Sequence, residues 1–274
     1  MGLRVNNNVS SINAQRNLTN STNSLQRSLS RLSSGLRITR AADDAAGLAI
    51  SERFRADIRS MGQAQRNAND GISLLQIGEG ALNEVSSILV RQRELAIQAA
   101  NGTLGDAERA TVNDEFQDLT EEIDRIAAVT QFNGTTLLNG GSAAVTFQVG
   151  IDNTSNDRIT ISAVDATTAG IGTSSAAVSS VSGAQAALDL IDSAIAQVAS
   201  LRATFGTVQN RLESTIRSLA VAQENSTAAE SRIRDVDFAS ETAELTRNQV
   251  LQQAGISVLA QANVSTQAAL NLLG

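Results

Sequence analysis

Histidine, cysteine, tryptophan, tyrosine and proline are all absent from the 274 residues, and so is lysine. All 21 basic residues are therefore arginine. Without histidine or cysteine there is no imidazole base, no thiolate nucleophile and no nitrogen–sulfur zinc site. Without lysine there is no Schiff base and no phosphate-loop ammonium. Carboxylates, serine and arginine remain, but no sharp carboxylate pair stands on a pocket-forming scaffold. The inventory thus points away from an enzyme and away from any cofactor. Missing cysteine rules out disulfides and leaves the compartment open. A net charge of −7 argues against nucleic acid as a partner. No apolar run reaches the roughly 18 residues needed to cross a membrane. The first ten residues lack the charged and apolar blocks of a cleaved signal. Only six large aromatics, all phenylalanine, are available to centre a core.

What is present is small and aliphatic, a mix that suits long helices packed closely over small residues. Four stretches carry apolar positions in alternating steps of three and four, the seam of a coiled coil. The first runs through Leu18, Thr22, Leu25, Leu29, Leu32 and Leu36. The second, within residues 42–101, contains Leu82, Val85, Leu89, Gln92, Ala96 and Ala99. An acidic amphipathic helix over residues 106–129 follows, with Asp106 as its expected N-cap. The third seam is the longest: Leu188, Ile191, Ile195, Val198, Arg202, Phe205, Gln209, Leu212, Ile216 and Leu219. It implies a helix of roughly 70 Å at about 1.5 Å per residue. The fourth closes the chain with Ile256, Leu259, Asn263, Thr266, Leu270 and Leu273. Polar residues in such a seam cost stability and can fix register.

Between the halves the period changes. Val145, Phe147, Val149 and Ile151 alternate with polar residues or glycine, as do Ile159, Ile161 and Ala163. This predicts a β-hairpin over about residues 144–163, which must lean on the helices to be stable. Residues 165–183, rich in Ser, Thr, Ala and Gly, are expected to form a loop or mobile link. The predicted fold is mainly α. It is an elongated rod of long antiparallel helices, with terminal coiled-coil helices and one small hairpin.

The ends differ from the middle. Of residues 6–34, 17 of 29 are Ser, Thr or Asn, poor helix formers that need a partner for their leucine stripe. Residues 1–40 carry a charge of +6 and residues 220–274 a charge of −3. Opposite charge and two apolar stripes predict that the ends pair with each other.

At this point several motifs resemble those of bacterial flagellin. They are Leu32-Ser33-Ser34-Gly35-Leu36-Arg37-Ile38, Ala42-Asp43-Asp44-Ala45-Ala46-Gly47-Leu48-Ala49-Ile50, Asn69-Asp70-Gly71-Ile72-Ser73, Arg93-Glu94-Leu95-Ala96, Gln131-Phe132-Asn133-Gly134, residues 248–259 and Leu270-Asn271-Leu272-Leu273. The likeness spans about residues 1–140 and 184–274. It implies a subunit of the extracellular flagellar filament, which transmits motor rotation for swimming. Residues 1–42 and 235–274 would form the inner coiled-coil domain, and residues 43–234 the rod domain outside it. The hook–filament junction protein, which shares the terminal helices, is the alternative. Partners implied are further copies of the chain, other flagellins, the filament cap and junction proteins, and an export chaperone at the C-terminal helix. The polymerisation seam would use Leu18, Leu25, Leu29, Leu32, Leu36, Ile256, Leu259, Leu270 and Leu273. Arg91, Leu95 and Glu115 match positions that meet a vertebrate Toll-like receptor. Two departures, Val90 where many members have Gln and Gly274 in place of Arg, bear on that recognition. Residues 167–182 would be outermost and open to O-linked sugars.

Overall fold

The computed structural model describes residues 7–141 and 144–271, the side chains as far as Val264. Its helices are α1 (Val9–Ser34), α2 (Ala45–Ala99), α3 (Asp106–Val129), α4 (Val181–Arg234) and α5 (Phe238–Asn271). Strands β1 (Gln131–Phe132), β2 (Thr135–Thr136), β3 (Val145–Gln148) and β4 (Arg158–Ile161) lie between α3 and α4. The chain divides into two compact units. One holds the residues up to 56 together with those from 225, and the other holds residues 57–224. α2 and α4 each contribute residues to both.

Residues 57–224 contain a continuous core. On α2 the buried line is Met61, Ala64, Ala68, Gly71, Leu75, Gly78, Leu82, Val85, Leu89, Gln92, Ala96 and Ala99. It keeps the three-four alternation throughout, and the stretch from Leu82 to Ala99 is the predicted one. On α4 the buried line is Ala184, Ala187, Ile191, Ala194, Val198, Phe205, Val208 and Leu212, with Leu201 half-buried on the same line. The expected seam shares Ile191, Val198, Phe205 and Leu212. Its alternate members, Leu188, Ile195, Arg202 and Gln209, are only half-buried and flank the line. Smaller side chains fill those steps and let the helices come close.

The helices run antiparallel, and two α2 glycines set their register. A Cβ on Gly78 would lie 2.6 Å from the Phe205 ring, and one on Gly71 3.1 Å from Leu212 and 3.3 Å from Phe147. Each glycine is thus a notch that a large side chain fills. α3 covers the α2–α4 pair with Val112, Phe116, Ile123 and Ala127. Its N-cap is Gly105, without a side-chain cap, and Asp106 is the first helical residue. That corrects the expected cap, and the carboxylate still favours the positive end of the helix dipole from the first turn.

The predicted hairpin is β3–β4, antiparallel with Val145 opposite Ile161 and Phe147 opposite Ile159. It leans on α2 as required: Asn67 donates to the Gln148 carbonyl at 2.9 Å, and Ile159 and Ile161 enter the core. β1 and β2 form a further short pairing around Asn133-Gly134, whose φ values of 49° and 80° are those of a tight hairpin turn.

Residues 165–178 form a non-helical loop that is largely buried. Val164, Ala166, Thr168, Ile171, Thr173, Ala176 and Val178 are all buried. Three polar side chains on one stripe of α3 hold the backbone. Asp124 accepts from the Thr168 amide and hydroxyl, both at 2.8 Å. Asn113 accepts from the Val178 amide at 3.0 Å, and Gln117 donates to the Ala176 carbonyl at 3.2 Å.

In the other unit the chain ends pair as predicted, with α1 antiparallel to α5. Asn8 caps α1 by accepting from the Ser11 amide at 3.0 Å and donates to the Ala262 carbonyl at 2.9 Å. Gly35, at φ 72°, ends α1 with its amide on the Arg31 carbonyl. The strand-like stretch after it pairs with residues 234–236. Arg37 N–H donates to the Arg234 carbonyl at 2.7 Å, and Val236 N–H to that of Gly35 at 3.0 Å.

Candidate assembly surface

The line of α1 that faces α5 passes through Ser11, Ala14, Leu18, Ser21, Leu25, Ser28 and Leu32, each buried or half-buried. Its counterpart on α5 is Glu241, Leu245, Asn248, Gln252, Gly255, Leu259 and Ala262. Contacts confirm the facing. Leu18 packs on Gly255, with 3.3 Å to a Cβ built there. Gln252 donates to Thr22 at 3.4 Å, and Arg31 pairs with Glu241 at 3.6 Å.

This is half a leucine seam. Leu18, Leu25, Leu32 and Leu259 take part as the sequence predicts, and Leu36 is half-buried beside Asp235. The remaining steps belong to serine, glycine, alanine and polar residues. Leu29 is turned outward at 49% exposure and Ile256 is likewise exposed, so neither packs inside this pairing. The apolar pattern was read one residue off at alternate steps, because the larger side chain sits next to the small one that does the packing. Asn263 is exposed and accepts from the Ser11 hydroxyl at 2.9 Å. The buried polar members are Ser28, Glu241 and Asn248 instead. The side chains of Thr266, Leu270 and Leu273 lie outside the described residues.

Apolar side chains displaced from the seam point to solvent. On α1 these are Val9, Ile12 and Leu29, and on α5 Phe238, Val250, Leu251, Ile256, Val258 and Val264. Val250 alone is 63% exposed. Leu251 and Val258, seven residues apart, edge a groove of about 420 Å³ whose other wall is Ala14 and Ser21. Scattered exposed apolar residues are ordinary, whereas a concentration on two paired helices marks an interaction surface.

A charged face lies on the other unit. Arg91 donates to Glu115 of α3 at 2.7 Å and pairs with Glu94 on its own helix at 3.0 Å. These bonds, that to Glu115 foremost, hold the Arg91 guanidinium above its ordinary pKa. Arg93 reaches Asp192 of α4 at 2.7 Å and holds that carboxyl below its ordinary 3.8. Leu95 stands apart from this face. At 1% exposure its side chain belongs to the core between the helices. Arg91 and Glu115 remain exposed.

Sequence reasoning missed Arg109. It is buried and donates to the carbonyls of Ala99 at 2.7 Å and Leu104 at 2.9 Å, capping the C-terminal end of α2. Its place three residues into a helix that follows a glycine-rich turn was the available signal. Asp44 caps the start of α2, and Asp43 holds the turn before it. Asp43 accepts from the Thr39 hydroxyl at 2.9 Å, which lowers its pKa, and Asp44 accepts from the Gly47 amide at 2.8 Å.

Family models and relatives agree with this architecture. The bacterial flagellin N-terminal helical region matches residues 5–143, and the bacterial flagellin C-terminal helical region matches residues 188–273. A flagellin of Halalkalibacterium halodurans is 48% identical over 269 residues, covering 98% of this chain and 99% of its own. The flagellar filament 33 kDa core protein of Treponema phagedenis is 42% identical over 283 residues, covering 98% of this chain and 99% of its own. The crystal structure of Bacillus cereus flagellin matches at 35% identity with a TM-score of 0.51, covering 56% of this chain and 88% of that one. Two helical regions matched in order, flanking a short hairpin segment, and near-complete coverage of relatives place this chain in the bacterial flagellin family.

Proposed function

We propose that the chain is a structural subunit of a flagellar filament, assembling with copies of itself through the α1–α5 pair. One observation carries this reading. Small and polar residues take about half of the internal seam, while Val250, Leu251, Ile256 and Val258 of α5 stay in solvent. Removing one such side chain from water is worth about 1.5–3 kcal/mol. A neighbouring copy would supply that burial, which the described residues of a lone chain do not. Nothing in the comparisons favours the junction-protein reading.

In this reading residues 1–42 and 235–274 make the inner part of the polymer and residues 43–234 the part outside it. The filament is extracellular, and the subunit reaches it by export, with a chaperone covering the C-terminal helix beforehand. The filament cap, junction proteins and other flagellins meet the same surfaces. Arg91 and Glu115 are the receptor contacts retained from the sequence reading.

The test is seeded growth. Purified full-length chain is mixed with short filament fragments and followed by sedimentation and electron microscopy. Elongation of the seeds is expected, and loss of elongation with Ile256→Asp. A chain that stays single at high concentration and is not recruited by seeds overturns the proposal.

A further inference from the structure

The absence of lysine, histidine, cysteine and tyrosine has a physical consequence for the folded chain. Between the carboxylates, which ionise near pH 4, and arginine, which stays charged beyond roughly pH 12, no side chain titrates. The side-chain charge of −7 at pH 7 is therefore the same at about pH 11. An ordinary chain with lysines would lose cations near pH 10.4 or so, and tyrosines would add anions at about the same point.

The ion pairs show where this matters. In residues 57–224, Arg91 joins α2 to Glu115 of α3, Arg93 joins α2 to Asp192 of α4, and Arg202 of α4 reaches Glu79 of α2 at 3.9 Å. In the other unit, Arg234 of α4 meets Glu52 of α2 at 2.6 Å, Arg55 of α2 meets Glu230 of α4 at 3.8 Å, and Arg31 meets Glu241. These packed helix pairs in both units are thus laced by a cation that alkali does not remove. Each exposed pair alone contributes little. Their joint effect is on repulsion: when the cations are lost, the carboxylates they face are left uncompensated.

We infer that this chain is built to keep one charge state, and one set of inter-helix ion pairs, from neutral to strongly alkaline surroundings, and that its assembled form holds there. The part concerning assembly rests on the filament reading, and the part concerning the single chain does not.

The test compares the native full-length chain with a variant carrying Arg55→Lys, Arg91→Lys, Arg93→Lys, Arg125→Lys, Arg202→Lys and Arg247→Lys. All six are exposed or half-exposed ion-pairing positions that a lysine can occupy at neutral pH. The variant's charge moves from −7 to −13 when its lysines deprotonate. Two readouts are followed from about pH 6 to about pH 11.5, spanning the lysine range. They are the helical circular-dichroism signal of disassembled monomer and the sedimentable fraction of filaments. The native chain is expected to hold both signals flat. The variant is expected to match it at neutral pH and to lose more than half of its filaments, with part of its monomer signal, between about pH 10 and pH 11.5. Native monomer that unfolds, or native filaments that dissolve, by about pH 10 overturn the inference. So does a variant that tracks the native chain throughout. Failure to form filaments at any pH sinks the filament reading and leaves the monomer comparison to decide the single-chain part. If the variant does not fold at neutral pH, the flatness of the native signals still decides.

Discussion

Residues 57–224 and the α1–α5 pair solve the same packing problem in opposite ways. In the first, apolar and small residues alternate along α2 and α4, and α3, the hairpin and residues 165–178 cover what is left. In the second, serine, asparagine, glutamine and glutamate occupy half of the seam, and the aliphatic side chains face water. The first unit has a continuous core, with Ile77, Val90, Ile97, Val129 and Val221 left on its surface. The second leaves Val250, Leu251, Ile256 and Val258 outside, the surface proposed above for assembly.

The sharpest way to break this contrast is to charge the outer face of α5. Leu251→Asp with Val258→Asp should remove about 3–6 kcal/mol of assembly free energy, since each burial is worth about 1.5–3 kcal/mol. The same pair should change monomer unfolding by less than about 0.5 kcal/mol, as exposed substitutions do. Urea titration of monomer and the critical concentration for growth measure the two. Equal losses in both would erase the distinction.

Next in size is the core. Phe205→Ala empties the notch above Gly78 and should cost about 3–5 kcal/mol in monomer unfolding. A loss below about 1 kcal/mol would mean that residues 57–224 are not the self-sufficient part. Asp124→Ala then tests whether that unit also holds its non-helical segment. Two bonds to a charged acceptor vanish, so a loss of about 1.5–3 kcal/mol is expected. Protease cutting should appear within residues 165–178, and unchanged resistance would contradict the anchoring.

A smaller effect is expected in the opposite direction. Asn248 is buried with its amide nitrogen lacking a protein partner. Asn248→Leu should strengthen the α1–α5 pairing by about 1 kcal/mol, because an unpaired buried polar group is removed. Urea titration of monomer measures the gain, and an unchanged or lowered midpoint would show that the Asn248 amide is not a cost to the pairing.

The smallest effect is acid. Asp192 and Glu52 have pKa values lowered below 3.8 and 4.5, by bonds to Arg93 and Arg234 respectively. Groups with depressed folded values contribute stability above their unfolded pKa and lose it as pH falls through the folded one. Urea midpoints should therefore be level from neutral pH down to about pH 5 and drop below about pH 4. A drop already complete at pH 5 or so would assign it to other groups.

Much of the helical plan was legible because the heptad pattern survives wherever a helix buries one stripe. The α2 line from Leu82 to Ala99 was read correctly since its neighbours, such as Glu84 and Arg91, are plainly polar. α1 and α4 were read one residue off at alternate steps. There Ser28 lies beside Leu29 and Ala194 beside Ile195, and hydrophobicity favours the larger of each pair. Close helix packing favours the smaller, and the larger is left exposed at Leu29 and half-buried at Ile195. The burial of the loop at residues 165–178 was not legible for another reason. Their burial depends on side chains of α3 receiving their backbone, and no local period reports that. Arg109 escaped because a cation spent on helix-end carbonyls resembles any surface arginine in sequence.

Gly71 and Gly78 stand one heptad apart, and the Phe205 and Leu212 that fill them are seven residues apart on an antiparallel helix. Seven residues amount to about 10.5 Å of travel. Any shorter slip of α4 along α2 drives a ring or a branched side chain onto a methyl or methylene instead of a hollow. The pair therefore behaves as a toothed rack rather than a greased rail. A force along these helices would meet discrete stops set by steric shape.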